Sequence, residues 1–125
     1  MVESVDSIKL AQKLDQAWKK AGHSERLNVL VQVNTSHEEQ KSGCQPEECV
    51  ALVSELCSTC DSLRFKGLMT IGALDPAPET ASATAKACFS VLADCKRKVC
   101  LNRVCIIFFA AYFVCLLIYL IYFIF

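Results

Sequence analysis

Two strand-like runs joined by a helix-like segment constrain the fold of this 125-residue chain more than any other feature. The first run, NVLVQV, covers Asn28 to Val33, and the second, LRFKGLMTI, covers Leu63 to Ile71. Both are rich in apolar and β-branched residues, as buried parallel strands are. Strands joined through a helix lie parallel in one sheet, with a right-handed crossover. The block therefore predicts an α/β fold.

Three helices are predicted around these strands. Residues Ser7 to Ala21 carry apolar side chains at steps of three and four, and Asp6 or Ser7 is the expected N-cap. This first helix is predicted to bury Ile8, Ala11, Leu14, Trp18 and Ala21. The order helix, strand, helix, strand, helix fits an open doubly wound sheet or a segment of a barrel.

The second and third helices follow the same reasoning. Pro46 is favoured at a first helical position, and the second helix is predicted to turn one face to the core, formed by Cys49, Val53, Leu56 and Cys60. The third helix is predicted from about Glu79 to Val99. Its expected buried residues are Ala85, Cys88, Phe89, Leu92, Cys95 and Val99.

Composition excludes several classes of function. Lys plus Arg and Asp plus Glu number 13 each, so no net charge favours nucleic acid. The four glycines form no P-loop and no G-x-G-x-x-G motif, so no nucleotide site is predicted. The start, MVESVDSIKL, is unlike a signal peptide, and the nine cysteines are therefore predicted to be reduced thiols in a cytoplasmic body.

The C-terminal residues 104–125 form an uncharged apolar run, VCIIFFAAYFVCLLIYLIYFIF. A helix of this length spans a hydrocarbon layer of roughly 30 Å. The preceding Lys96, Arg97, Lys98 and Arg103 favour a cytoplasmic body by the positive-inside rule. We therefore predict a body at residues 1–102 and a transmembrane helix at residues 103–125, with membrane lipid as its partner. The alternative is that the tail is translated non-homologous sequence.

The cysteines and histidines predict no metal site and no catalytic residue. Cys57 and Cys60 form a C-x-x-C pair, but they lie at the end of a helix, where the dipole disfavours a thiolate. Zinc would need two further ligands from Cys44, Cys49 and His37, and Cys49 is expected to face the core. Buried thiols and solvated loop histidines are the simpler interpretation, and the chain is not predicted to be an enzyme.

The segments VLVQVNTSHEEQKSG and LRFKGLMTIG, at their observed separation, resemble the pyridoxal phosphate homeostasis protein family. The resemblance covers roughly Val2 to Asn102 and implies part of a (β/α)8 barrel. ESVDS is similar to the end of the fourth strand, NVLVQVN to the fifth and RFKGLMTIG to the sixth. Such a piece would leave both sheet edges open, so the isolated body is expected to aggregate or to need a partner.

The resemblance also implies a cofactor, pyridoxal 5'-phosphate, and a role in vitamin B6 homeostasis. In the family a lysine on the first strand forms a Schiff base, and loops after the seventh and eighth strands hold the phosphate. No lysine of this chain matches that position. The resemblance therefore implies a truncated, non-catalytic member that does not hold the cofactor alone.

Met69 and Asn34 are the residues that the resemblance places in the wall of the cofactor pocket, at the carboxyl ends of two strands. Barrel packing is an equally good explanation of Met69. Three alternatives stay open. The chain could be a tail-anchored membrane interaction protein or a non-functional truncated product. It could also be a thiol or metal protein built on Cys44, Cys49, Cys57 and Cys60.

Overall fold

The structure is a computed structural model that describes residues 1–73 and 78–102 of the chain. Strands and helices alternate along it, as the sequence predicts. The strand similar to ESVDS is present before the first helix. In chain order the elements are β1 (Val2–Val5), α1 (Ile8–Lys20), β2 (Leu27–Gln32), α2 (Cys49–Thr59), β3 (Leu63–Met69) and α3 (Pro78–Leu101).

The three strands form one parallel sheet in the order β1-β2-β3. Leu27 lies opposite Leu63 at the start of β2, and Gln32 lies opposite Met69 at its end. The register shifts by one residue between these points, because Val29 pairs with Phe65 whereas Leu30 pairs with Gly67. The irregularity falls at Gly67, inside β3. After it, the last residues of β2 and β3 lie side by side, Gln32 opposite Met69.

The core lies on the face of the sheet that the helices cover. Val29, Val31 and Val33 alternate along β2 and are almost completely excluded from water. They pack with residues from the other strands and all three helices, among them Val5, Ala11, Val53, Leu56, Phe65, Leu68, Leu92, Cys95 and Val99. The intervening residues Asn28, Leu30 and Gln32 point to the other face, because side chains alternate along a strand.

The predicted core face of α2 is confirmed, since Cys49, Val53, Leu56 and Cys60 are all buried. Its predicted start is wrong. Residues 46–48 form a turn in which the Glu48 amide donates to the Gln45 carbonyl at 3.0 Å, and the helix begins at Cys49. Pro46 is buried in this turn.

The first helix is held by a cap at its start and by a contact from its middle. Ser7 is the N-cap, and its hydroxyl accepts from the Leu10 amide at 3.4 Å. Asp15 accepts from the Ser62 amide at 2.6 Å and thereby holds α1 to the start of β3. Of the predicted apolar face, Ala11 is fully buried, and Ile8, Leu14 and Trp18 are partly buried against the core. Ala21 is exposed beyond the helix end.

One further expectation is corrected by side-chain packing. Phe89, predicted to be buried, is 40% exposed because Cys88, Leu92, Cys95 and Val99 already fill the side of α3 that meets the core. His23 is exposed in the loop after α1, as predicted, and its ring stacks on Trp18 with ring centroids 3.8 Å apart. The Trp18 indole also donates to the Glu25 carbonyl at 2.7 Å, so the turn after α1 is held by this pair.

The predicted transmembrane segment, residues 103–125, lies outside the described part of the chain. Within residues 1–73 and 78–102, no helix is both long enough and apolar enough to cross a membrane. The anchor therefore stays a prediction from the sequence.

Candidate pocket wall at the carboxyl edge of the sheet

Buried polar side chains collect where β2 and β3 end. Gln32, Asn34, Thr35 and Thr70 are each between 4% and 6% exposed. The Val33 amide donates to the Met69 carbonyl at 2.8 Å, so the residues after the two strands start side by side. The carboxyl edge of a parallel sheet is where α/β proteins bind ligands, and this edge is therefore the candidate site.

A hydroxyl pair joins the two strand ends. Thr35 Oγ1 and Thr70 Oγ1 lie 2.9 Å apart and share a buried hydrogen bond. Thr70 Oγ1 also accepts from the Gly72 amide at 3.2 Å. These bonds fix the chain after β3 against the chain after β2.

Asn34 uses its side-chain amide on its own loop. Its Nδ2 donates to the carbonyls of Glu38 at 2.9 Å and Lys41 at 3.5 Å, and its Oδ1 accepts from the Ser36 hydroxyl at 3.4 Å. Asn34 therefore shapes the rim of the edge. Its predicted contact with a cofactor stays a prediction.

Lys41 connects this loop to the residues after β3. Its Nζ donates to Glu38 Oε1 at 2.6 Å and to the Gly72 carbonyl at 2.8 Å. The Lys41 and Glu38 side chains are only 16% and 27% exposed, and a charge-assisted bond in such a place is stronger than a bond between neutral groups. Sequence reasoning missed this contact, and its only local signal was the spacing of three between Glu38 and Lys41.

The loop closes back onto β2 through a glycine. Gly43 has φ +127°, and a Cβ there would lie 2.6 Å from the Asn34 nitrogen. The following Cys44 donates its amide to the Gln32 carbonyl at 2.9 Å and forms a parallel bridge with Val33. Gln32 Nε2 adds a bond to the Ser42 carbonyl at 2.8 Å. The edge is thus a pre-formed surface.

Met69 ends β3 opposite Gln32 and is partly buried. Ile71 is 64% exposed just beyond it. The strand alternation puts Leu68 in the core and Met69 on the opposite face, which in a closed barrel is the interior. The structure brings Met69 and Asn34 to the same edge, and cofactor contact at Met69 stays a prediction.

The donor set of this edge does not fit a phosphate cradle. A phosphate needs cations or free N–H groups, and Lys41 is already bonded to Glu38 and to the Gly72 carbonyl. Asn28 Oδ1 is buried and has no hydrogen-bond partner among the described residues. This atom can only accept a hydrogen bond, so it cannot donate to a phosphate, and it lies in the first half of β2. Among the described residues of this edge, Lys41 is therefore not available to pair with a phosphate.

The cysteines form a second group, outside this edge. None of the seven described cysteines forms a disulfide, and within residues 1–73 and 78–102 no group of three His, Cys, Asp or Glu side chains could hold a metal ion. Burial raises the pKa of Cys60, as expected for a thiol at a helix end in the core. Cys44, Cys49 and Cys95 are buried in the same core, and the Cys95 thiol donates to the Pro46 carbonyl at 3.7 Å.

Comparison with known proteins identifies the family of this chain. The sequence model of the alanine racemase N-terminal domain matches residues 1–106. The chain belongs to this family. A member of similar sequence, the pyridoxal phosphate homeostasis protein of Bos taurus, is 56% identical over 72 residues, which make up 58% of this chain and 26% of the relative. The match thus spans about a quarter of that relative's length.

Two solved structures share the fold. The crystal structure of an unknown protein from Bifidobacterium adolescentis has a TM-score of 0.68 and 34% identity, covering 81% of this chain and 37% of that one. An alanine racemase of Clostridium difficile 630 in complex with cycloserine has a TM-score of 0.60, covering 86% of this chain and 28% of the enzyme. At 24% identity the second likeness shows the fold alone. Both confirm an alanine-racemase-like α/β arrangement with a parallel sheet.

Proposed function

We propose that this chain is a non-catalytic member of the pyridoxal phosphate homeostasis group and acts in vitamin B6 homeostasis. The 56% identity to the Bos taurus protein of that name supports the assignment. In this proposal β1, β2 and β3 correspond to the fourth, fifth and sixth strands of a (β/α)8 barrel. Their carboxyl edge is part of the wall of the pyridoxal 5'-phosphate pocket.

The observation that carries the proposal is the level, braced edge of β2 and β3. The Thr35–Thr70 bond and the bond from Lys41 to the Gly72 carbonyl hold the two post-strand segments together. A pre-formed edge of this kind costs little conformational entropy when it meets a ligand. In this arrangement the Met69 side chain faces the cofactor and Asn34 shapes the rim.

In the proposed function the chain does not hold the cofactor by itself. None of its lysines takes the place of the Schiff-base lysine, and the edge lacks a phosphate cradle. The remaining wall and the anchor come from residues other than those described. The same reasoning predicts no racemisation of L-alanine by the chain in the presence of pyridoxal phosphate.

A hybrid protein tests the proposal. In the Bos taurus relative, the matched 72-residue stretch is replaced by the corresponding stretch of this chain, and pyridoxal phosphate binding is measured by absorbance titration. We expect the hybrid to bind the cofactor. We also expect Met69→Ala in the hybrid to weaken binding about tenfold, which corresponds to about 1.4 kcal/mol.

Glu55→Gln in the same hybrid is the matched control, because Glu55 is exposed on α2, away from the edge. Its affinity should equal that of the unchanged hybrid. A folded hybrid in which Met69→Ala and Glu55→Gln bind equally well would remove Met69 from the pocket wall. A folded hybrid that binds no cofactor would refute the proposed function itself.

A further inference from the structure

A cavity of about 220 Å³ lies at the amino ends of β2 and β3, at the other end of the strands from the candidate pocket wall. It is bounded by the end of α1, by the turn that leads from α1 into β2, and by the residue before β3. Its lining includes Trp18, Lys19, His23, Ser24, Arg26 and Ser62. We name this space the amino-end cavity.

Three contacts hold the walls of the amino-end cavity in place. The Trp18 indole donates to the Glu25 carbonyl at 2.7 Å, and its ring stacks on that of His23. The Leu27 amide donates to the Ser62 carbonyl at 2.9 Å, which ties the turn after α1 to the start of β3. The cavity is therefore pre-formed, and a ligand that enters it meets little cost of ordering the chain.

The lining of the cavity carries an excess of positive charge. Lys19 and Arg26 are exposed, and within residues 1–73 and 78–102 neither side chain forms an ion pair. Glu25 is the acid among the lining residues. Asp15, which reaches this region from α1, already accepts from the Ser62 amide at 2.6 Å. Two cations against one carboxylate favour an anionic ligand.

The donors and the size of the cavity indicate a phosphate group. An arginine binds phosphate oxygens through two parallel N–H bonds, and a lysine adds a point charge. The hydroxyls of Ser24 and Ser62 and a ring nitrogen of His23 can also donate. The volume of about 220 Å³ equals that of about seven water molecules in the liquid. Pockets for drug-sized ligands are larger, roughly 300–1,000 Å³, so the ligand is smaller than a nucleotide.

We propose that the amino-end cavity binds the phosphate group of a small ligand, either inorganic phosphate or a phosphate monoester, with Arg26 and Lys19 as its charged contacts. The cavity lies at the amino ends of the strands, whereas the candidate pocket wall lies at their carboxyl ends. The inference is therefore independent of the proposed function, and either can fail without the other.

The fluorescence of Trp18 reports binding directly, because Trp18 lines the cavity and is the chain's one tryptophan. The full 125-residue chain is titrated with inorganic phosphate and, separately, with glycerol 3-phosphate, which has no aldehyde to react with a lysine. Sodium chloride keeps the ionic strength constant. We expect a saturable change in fluorescence. Tighter binding of glycerol 3-phosphate would identify a monoester as the ligand, and equal or weaker binding would identify inorganic phosphate.

Variants of exposed residues locate the site without disturbing the core. Arg26→Gln should weaken binding about tenfold or more, because both guanidinium bonds are lost, and Arg26→Lys should weaken it less, because the charge stays. Lys20→Gln is the matched control, since Lys20 is the exposed neighbour of Lys19 and does not line the cavity. Its affinity should equal that of the unchanged chain. No saturable change with either probe, or the same affinity in Arg26→Gln and Lys20→Gln, would overturn the inference.

Discussion

The hydroxyl pair Thr35–Thr70 offers a quantitative test of how the sheet edge is held. Replacing Thr35 by Val keeps the side-chain volume and removes one buried hydrogen bond, while Thr70 Oγ1 still accepts from the Gly72 amide. The expected loss in free energy of unfolding is about 1 kcal/mol. Thr70→Val removes both bonds and leaves the Thr35 hydroxyl unpaired in a buried place, so the expected loss is about 2–3 kcal/mol.

The double variant shows whether the two threonines act together. Since both single changes remove the same Thr35–Thr70 bond, the double variant should lose less than the sum, by about 0.5–1.5 kcal/mol. Urea unfolding followed by the fluorescence of Trp18, the chain's one tryptophan, measures all four proteins. Thr59→Val is the control, because the Thr59 hydroxyl bonds the Glu55 carbonyl on the exposed side of α2. Additive losses at Thr35 and Thr70 would refute the bond.

Three further outcomes follow from the same structure. Gly43→Ala should destabilise the chain by more than about 2 kcal/mol, because the added Cβ would clash with the backbone and the residue would keep a positive φ. Gly22→Ala adds only the strain of a positive φ and should cost about 1 kcal/mol. Urea unfolding compares the two variants. Lys41→Met should cost about 1–3 kcal/mol by removing the ion pair with Glu38 and the bond to the Gly72 carbonyl. The exposed Lys13→Met should be neutral within about 0.5 kcal/mol in the same assay. The expressed chain should resist carbonate extraction from membranes through residues 104–125, and release into the soluble fraction would exclude the anchor.

The parts of the fold that hydrophobic periodicity controls were predictable from the sequence. β2 and β3 were visible as apolar, β-branched runs, and the core face of α2 followed from a period near 3.6. The start of α2 was not predictable, because Pro46 suits both a first helical position and the turn that it occupies. Phe89 was misplaced because the third helix has more apolar positions than its core-facing side can hold.

The candidate site was predictable only in its location. The ends of parallel strands point to an edge, so Asn34 and Met69 could be placed there from the sequence. The bonds that brace the edge could not, since Lys41 meets Gly72 and Thr35 meets Thr70 across long stretches of chain.

The central claim is that this chain supplies a wall of the pyridoxal phosphate pocket and does not itself anchor the cofactor. Borohydride reduction of the 125-residue chain mixed with equimolar pyridoxal phosphate, followed by peptide mass spectrometry, tests it most directly. The account predicts no stoichiometric phosphopyridoxyl group on any single lysine. One lysine modified to near completion, with the matching aldimine absorbance before reduction, would contradict it.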